Sequence, residues 1–233
     1  MYFRFVFILV FVASLFCSCK KELVTPQEEA VVPYEPYPDA VFHQQKMYTY
    51  FDDRLAFYGE WAAALCYDPN GKRTLDVSFV SFNDTLLLAD TSFTIFTHFI
   101  KEQPSLKANW KLNTAETGEF SFNNDGGKPD VDIHTPLPGS ADHLSDFTIY
   151  FPNIKNITGI GYKLCSSNSG KTVTCGSIDM STGAATFTAE QLTSVKGANT
   201  LSVYIYKDTY ETVNGKLLLF ETSITISKSF LVK

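Results

Sequence analysis

Thr200-Leu201-Ser202-Val203-Tyr204-Ile205-Tyr206-Lys207, followed six residues later by Val213-Asn214-Gly215-Lys216, decides the fold. Apolar and polar or aromatic residues alternate through Thr200–Lys207, the period of a half-buried strand. Leu201, Val203 and Ile205 fall on one face and Ser202, Tyr204 and Tyr206 on the other. Asn-Gly between two such runs predicts a two-residue type I′ hairpin turn, because both central positions need positive φ. Return strands are predicted at Lys216–Thr222 and Ile224–Val232.

Further strands follow outward from this hairpin. Asp146–Phe151, Thr158–Cys165, Lys171–Ile178 and Ala184–Thr188 carry strand-like composition, with one helical turn predicted at Ala189–Val195. About seven short strands in some 90 residues fit an immunoglobulin-like architecture. Residues 143–233 are therefore expected to form an antiparallel β-sandwich. The Cys…Trp…Cys spacing of antibody domains is absent.

The preceding region also alternates. Leu106, Ala108, Trp110 and Leu112 share one face, as do Phe93, Ile95, Thr97 and Phe99, and Phe120 and Phe122 mark a further strand. Thr74–Phe82 follows a turn at Asp68-Pro69-Asn70-Gly71. Val41–Tyr67 is ambiguous. Met47, Tyr50, Phe51, Leu55, Tyr58, Ala62 and Leu65 suit a helix, yet Gly59 interrupts it and Tyr58–Tyr67 suits a strand entering a hairpin. Residues 41–125 are expected to form a first β unit. Residues 126–142, rich in Gly, Asp and Pro, are expected to link it to the second, with a short strand at Val131–His134. A single sandwich with a long crossing loop is the alternative. Either way the fold class is all-β and antiparallel, with two β units in tandem as the leading arrangement.

Composition narrows the function. Formal charge is −6 and charged residues make up 19 %, while 20 Phe and 12 Tyr help bring aromatics to 15 %. Aromatic and β-branched residues suit pleated sheet. A mildly acidic chain argues against nucleic acid as partner, since such partners demand basic patches.

The first 22 residues assign a compartment. Arg4 precedes the apolar run Phe5–Phe16, which is followed by Cys17-Ser18-Cys19-Lys20-Lys21-Glu22. This is the plan of an export signal, and the run is shorter than the roughly 20 residues that span a bilayer. Ser18 before Cys19, with charge directly after, resembles the lipobox of bacterial lipoproteins, with Phe16 where Leu is usual. The resemblance implies cleavage of residues 1–18 and lipidation at Cys19. Residues 19–40 then form a linker with Pro26, Pro33, Pro36 and Pro38, expected to be extended. Cys-Lys-Lys after the signal and the strand-rich second half together resemble lipoproteins of the Bacteroidetes that carry immunoglobulin-like modules. That resemblance implies a cell-envelope location at the outer membrane, facing the periplasm or the surface, held to the membrane through the lipid.

Candidate chemical groups are few. Cys165 and Cys175 flank a polar loop, a spacing that suits a disulfide across a hairpin in an oxidising compartment, whereas Cys66 beside Leu65 reads as a buried thiol. Ser169-Gly170-Lys171-Thr172 matches only the end of a phosphate-binding loop and reads as a hairpin tip, because Cys165 stands where the motif needs glycine. Asp125, Asp130 and Asp132 gather oxygens that Ca²⁺ would accept, although Asp/Asn/Gly clusters more often simply make turns. No other cofactor is expected. His43, His98, His134 and His143 lack metal-ligand spacing. No nucleophile elbow occurs, and 25 acids cannot be paired across strands from sequence. Among Trp61, Trp110, Tyr204, Tyr206 and Tyr210, the pair Tyr204 and Tyr206 are the first candidates for an exposed ligand-binding strip. The expectation is a non-catalytic, lipid-anchored binding or accessory protein recognising a glycan or an envelope protein. A structural or adhesive spacer and a β-sandwich hydrolase are the alternatives.

Overall fold

The computed structural model describes residues 38–233, apart from 52–53, 68–71, 75, 102–103, 105–107, 115–117, 125–128, 153 and 176–177. The expected signal, Cys19, the linker through residue 37, and Asp125 lie outside the described residues. The regular structure of the described chain is almost all strand: β1 (Ala40–Phe51), β2 (Arg54–Tyr67), β3 (Arg73–Thr74), β4 (Phe79–Phe82), β5 (Thr85–Leu86), β6 (Leu88–Asp90), β7 (Ile95–Ile100), β8 (Asn109–Thr114) and β9 (Gly118–Asn123) come first. Then follow β10 (Ser140–Ala141), β11 (Phe147–Ile149), β12 (Gly159–Ser166), β13 (Thr172–Thr174), β14 (Ile178–Asp179), β15 (Ala184–Phe187), the helix α1 (Ala189–Ser194), β16 (Gly197–Val213) and β17 (Lys216–Val232).

The decisive hairpin forms as its sequence dictates. Asn214 and Gly215 take φ of 50° and 78°, the type I′ combination. From that turn β16 and β17 pair in unbroken antiparallel register for 17 residues each, about 56 Å at 3.3 Å per residue. The two runs predicted after Lys216 are thus one strand. The ambiguity at Val41–Tyr67 also resolves as strand, with β1 and β2 forming an antiparallel hairpin that carries a bulge between Met47 and Tyr48. A bulge lets the apolar set change register locally, which is why the segment mimics helical spacing.

The ten-stranded main sheet runs β13-β12-β16-β17-β1-β2-β7-β6, with β10 beside β17 and β3 beside β2. Its centre departs from the antiparallel expectation. β1 pairs with β17 in parallel, Ala40 opposite Leu218 through Thr49 opposite Ser227, and β10 joins β17 in parallel farther along. Residues 41–125 and 143–233 therefore do not close separate sheets. They share one, and residues 37–233 form a single compact unit.

Two cores lie along the same face of that sheet. Even-numbered β17 residues all point to this inner face. Leu218 and Phe220 enter the first core, Ile226, Phe230 and Val232 the second. The first core is aromatic: Phe42 and Phe82 lie against Trp110, and Phe122 against Phe42 and Phe220, all between the main sheet and a four-stranded sheet β5-β4-β8-β9. The second is mostly aliphatic. Leu201, Val203 and Ile205 of β16 pack with Ile149, Phe151 and Phe187 from the region of the three-stranded sheet β11-β15-β14, with Leu192 of α1 among them. The capping box Thr188/Gln191 fixes the start of α1 and satisfies its first N–H groups.

A polar band separates the cores. Gln44 donates to Glu60 at 2.5 Å, and Asn124 donates to Thr222 at 3.1 Å, all four side chains buried. Burial of Glu60 demands such donors, because an unpaired buried carboxylate is costly. The segment expected to be an inter-unit linker crosses beside this band instead. Leu137 is buried in the second core, and the Thr135 carbonyl accepts from the Tyr50 hydroxyl at 3.0 Å. The strand expected at Val131–His134 is a turn held by Asp132, whose side chain accepts from the His134 N–H.

Candidate binding face

The other face of the main sheet carries a different set of side chains. Residues on β16, β17, β1 and β2 align in ranks across it. Asp208 of β16 stands opposite Glu221 of β17, which stands opposite His43 of β1. One rank along, Tyr206, Ser223, Gln45 and Trp61 align on the same four strands, and Tyr204, Thr225 and Met47 form the next rank. Four strands at 4.8 Å spacing make this face about 14 Å wide between the outer strands.

The side chains link into a continuous line. The Trp61 indole N–H donates to Thr97, and its ring lies beside the His43 imidazole, 6.3 Å between centroids and 22° between planes. His43 Nδ1 sits 3.3 Å from Glu221 Oε1. The Tyr204 hydroxyl donates to the same oxygen. Tyr204 and Tyr206 then stack at 5.5 Å and 25°. The floor between the aromatic flanks is polar and low, with Gln45 donating to Thr225 at 2.8 Å.

Glycine makes room for the rings. A Cβ on Gly159, opposite Tyr206 on β12, would fall 2.5 Å from the Tyr206 ring. A Cβ on Gly59 would fall 2.2 Å from the Phe99 ring. Aromatic rings lying on strand glycines cover backbone that would otherwise be unpacked.

The electrostatics of the two carboxylates diverge. Burial raises the Glu221 pKa, but hydrogen bonding and attraction from His43, with the Tyr204 hydrogen bond, more than offset this and hold the carboxyl below its usual range. Asp208 moves the other way: burial, then the neighbouring Glu221 charge, push it up against a smaller lowering by His43. Tyr204 is pushed far up by burial and by Glu221, and Tyr206 is raised by burial, Asp208 and Glu221. Both phenols therefore stay protonated at neutral pH.

Tyr204 and Tyr206 thus occupy the face expected of them, half-buried rather than fully exposed, with Val203 and Ile205 fully buried behind. Trp61 joins them, and Tyr210 lies farther along the same face of β16, half exposed. Trp110 does not, being 1 % exposed in the first core. His43, Glu221 and Asp208 are the participants that the sequence did not single out. The only local signal was a charged or polar residue at each alternate position of a strand, which marks a face without saying which strands adjoin.

The expected Cys165–Cys175 disulfide is not formed, and both thiols are free. Cys165 lies opposite Thr172, whereas the Cys175 N–H bonds the Tyr162 carbonyl, so the two are offset along the hairpin. Cys165 falls on the outer face with Lys163, while Cys175 packs against the second core, where burial pushes its thiol up to about 12. Bridging needs facing Cβ atoms about 3.8 Å apart. Cys66 is buried, also pushed up to about 12 by burial. Gly170, at the tip of this hairpin, has φ 67°.

Of the three aspartates considered for Ca²⁺, Asp130 pairs through its backbone with Lys155 and Asp132 makes its turn. Among the described residues, no group of three or more His, Cys, Asp or Glu side chains is placed to hold a metal ion. No family model matches this chain, and no curated protein matches it significantly.

Proposed function

We propose that this is a lipid-anchored cell-envelope protein whose outer sheet face recognises a saccharide, with an immunoglobulin-like layering of the second half as the scaffold. One observation carries the reading: the line Trp61–His43–Glu221–Tyr204–Tyr206, which sets aromatic faces on either side of carboxylate, imidazole and hydroxyl groups. Sugars present apolar C–H faces and equatorial hydroxyls, and aromatic rings beside hydrogen-bonding groups match both. The anchor rests on the lipobox-like sequence at Ser18-Cys19.

Titration of the full chain with soluble polysaccharides, followed by tryptophan fluorescence and by thermal midpoint, tests the face. A ligand that binds only the native state raises the midpoint with dose. The expected result is a saturable shift that Tyr204→Ala and Tyr206→Ala remove together. No shift with any saccharide abandons this reading in favour of an envelope-protein partner or a spacer. The anchor is tested separately by metabolic lipid labelling, which Cys19→Ser should abolish.

A second reading is a hydrolase, favoured by one fact: Asp208 and Glu221 are cross-strand neighbours with opposite pKa shifts, an arrangement that acid and nucleophile pairs use. The open sheet face suits holding a chain more than enclosing a bond. Release of new reducing ends, lost in Glu221→Gln, would establish it.

A further inference from the structure

Resting on the saccharide reading above, we propose that the bound chain runs lengthwise over β16 and β17 and seats a further, uncharged sugar in a pocket at the far end of the outer face. From Tyr206 the outward positions of β16 continue through Tyr204, Ser202 and Thr200 to Ala198. Opposite them on β17 stand Ser223, Thr225, Ser227, Ser229 and Leu231. None of these side chains is charged. At the last two ranks the face hollows into a pocket of about 320 Å³, lined by Thr200, Ser229, Ala198 and Leu231. Ser167, just past β12, bounds one side, and Gly139, just before β10, bounds the other. A volume of this order is that of a small-ligand site.

The lining suits a neutral sugar. One rank nearer the tyrosines, the Ser202 and Ser227 hydroxyls satisfy each other at 2.9 Å. Thr200 and Ser229 also stand opposite each other, but among the described residues their hydroxyls make no such bond, and neither does that of Ser167. Each hydroxyl donates one hydrogen bond and accepts others, which matches the hydroxyls of a sugar. Leu231, 45 % exposed, offers an apolar surface to a sugar's C–H face. The floor is preformed. Asn199, buried beneath it, donates its amide to the Val195 and Gly197 carbonyls at 2.7 and 2.8 Å and pins the chain where it enters β16. A charged sugar would meet no counter-charge in this lining and would lose hydration with nothing to offset it. Thr200 lies six residues from Tyr206, about 20 Å along the strand at 3.3 Å per residue, farther than a disaccharide reaches. A longer chain held at the tyrosines enters the pocket as an intramolecular event, which raises its overall affinity.

The test titrates cellobiose and cellohexaose into the full chain by calorimetry. Both are neutral, with equatorial hydroxyls and apolar ring faces, and they differ in length alone. The expected result is that cellohexaose binds at least about ten-fold tighter. Ser229→Trp, with Ala198→Trp as a second way to fill the pocket, should erase that preference. Both positions are exposed, so the thermal midpoint should hold. Iodoacetamide labelling of the native wild-type chain gives a reading without substitution. Cys165 stands opposite Thr200 on the outer face, so cellohexaose should slow its alkylation and cellobiose should not. Equal affinity for the two sugars, with no protection of Cys165, overturns the second subsite and leaves the saccharide reading standing. A length preference that both filling variants leave intact overturns it too. Tighter binding of an oligogalacturonate of equal length overturns the uncharged assignment. Binding of no saccharide overturns this inference and the reading beneath it.

Discussion

Val203 and Tyr204 are neighbours in the chain and opposites in environment. Val203, like Ile205, is completely buried among the aliphatic side chains of the second core. Tyr204 and Tyr206 lie on the other side of the same strand, hydrogen-bonded to a carboxylate and stacked on each other. The inner face answers to packing, where volume and shape decide which residue is tolerated. The outer face has only a small apolar cluster of its own, Val41, Ala63, Leu65 and Ile95 with Trp61 packed against it, and beside that cluster stand the polar and charged groups His43, Glu221, Tyr204 and Asp208. The difference separates residues that hold the fold from residues available to a ligand, within one element and two positions.

The two tryptophans give the sharpest test of that division. Trp110→Ala should cost about 3–5 kcal/mol in urea unfolding, because it empties the centre of the aromatic core between Phe42 and Phe82. Trp61→Ala should cost roughly 1 kcal/mol while altering ligand binding. Equal costs would mean that the outer face is structural after all.

A pair of glycines divides in the same way at smaller magnitude. Gly183 has φ 65°, and a Cβ there would fall 2.3 Å from the Phe151 carbonyl oxygen, so Gly183→Ala should cost about 1–3 kcal/mol. Gly161, beside Tyr204 on β12, has nothing within 4 Å of such a Cβ, and Gly161→Ala should change stability by about 0.5 kcal/mol or less.

The two carboxylates should show opposite pH behaviour. Glu221 is depressed in the folded state, so its stabilising contribution is present above the unfolded carboxyl pKa, about 4.3, and is lost as pH falls through the lower folded value. Glu221→Gln should therefore flatten the acid limb of stability. Asp208 is raised, so the fold is favoured below the unfolded value, about 3.9, and loses that advantage as pH rises through the folded one. Asp208→Asn should be slightly more stable than wild type at neutral pH. Urea midpoints measured from acid to neutral pH for both variants decide the matter; slopes of the same sign would refute the opposing environments.

The smallest effect concerns the thiols. Alkylation of the denatured, unreduced protein should label Cys66, Cys165 and Cys175, and dithiothreitol should leave the unfolding midpoint unchanged. Protection of the last two would restore the bridge across the hairpin.

Much of this architecture was readable along the chain. Alternation identified β16 and its two faces, Asn214-Gly215 identified the turn, and the run Ala108, Trp110, Leu112 identified a strand edge-on to a core. These are local signals, carried by residues two to four apart. The parallel pairing of β1 with β17 was not legible, because it joins residues about as far apart as the chain allows, and no local pattern names a partner strand. For the same reason the shared sheet that joins the two halves left no local trace. The candidate face was half legible. Tyr204 and Tyr206 share a strand, so their common face follows from parity, and Trp61 stood out by size. His43, Glu221 and Asp208 come together only once β1, β17 and β16 are adjacent.

The parallel junction has a mechanical consequence. The segments that leave Ala40 and Val232 depart from opposite ends of the β1–β17 pair, since both strands run the same way. A force drawing those two segments apart would slide one strand lengthwise past the other, loading all ten aligned residue pairs together. A hairpin pulled from its open end instead gives way one rank at a time. If residue 40 is tied to a surface and tension arrives beyond residue 232, the centre of the sheet acts as a shear clamp, and rupture waits for many hydrogen bonds to fail at once.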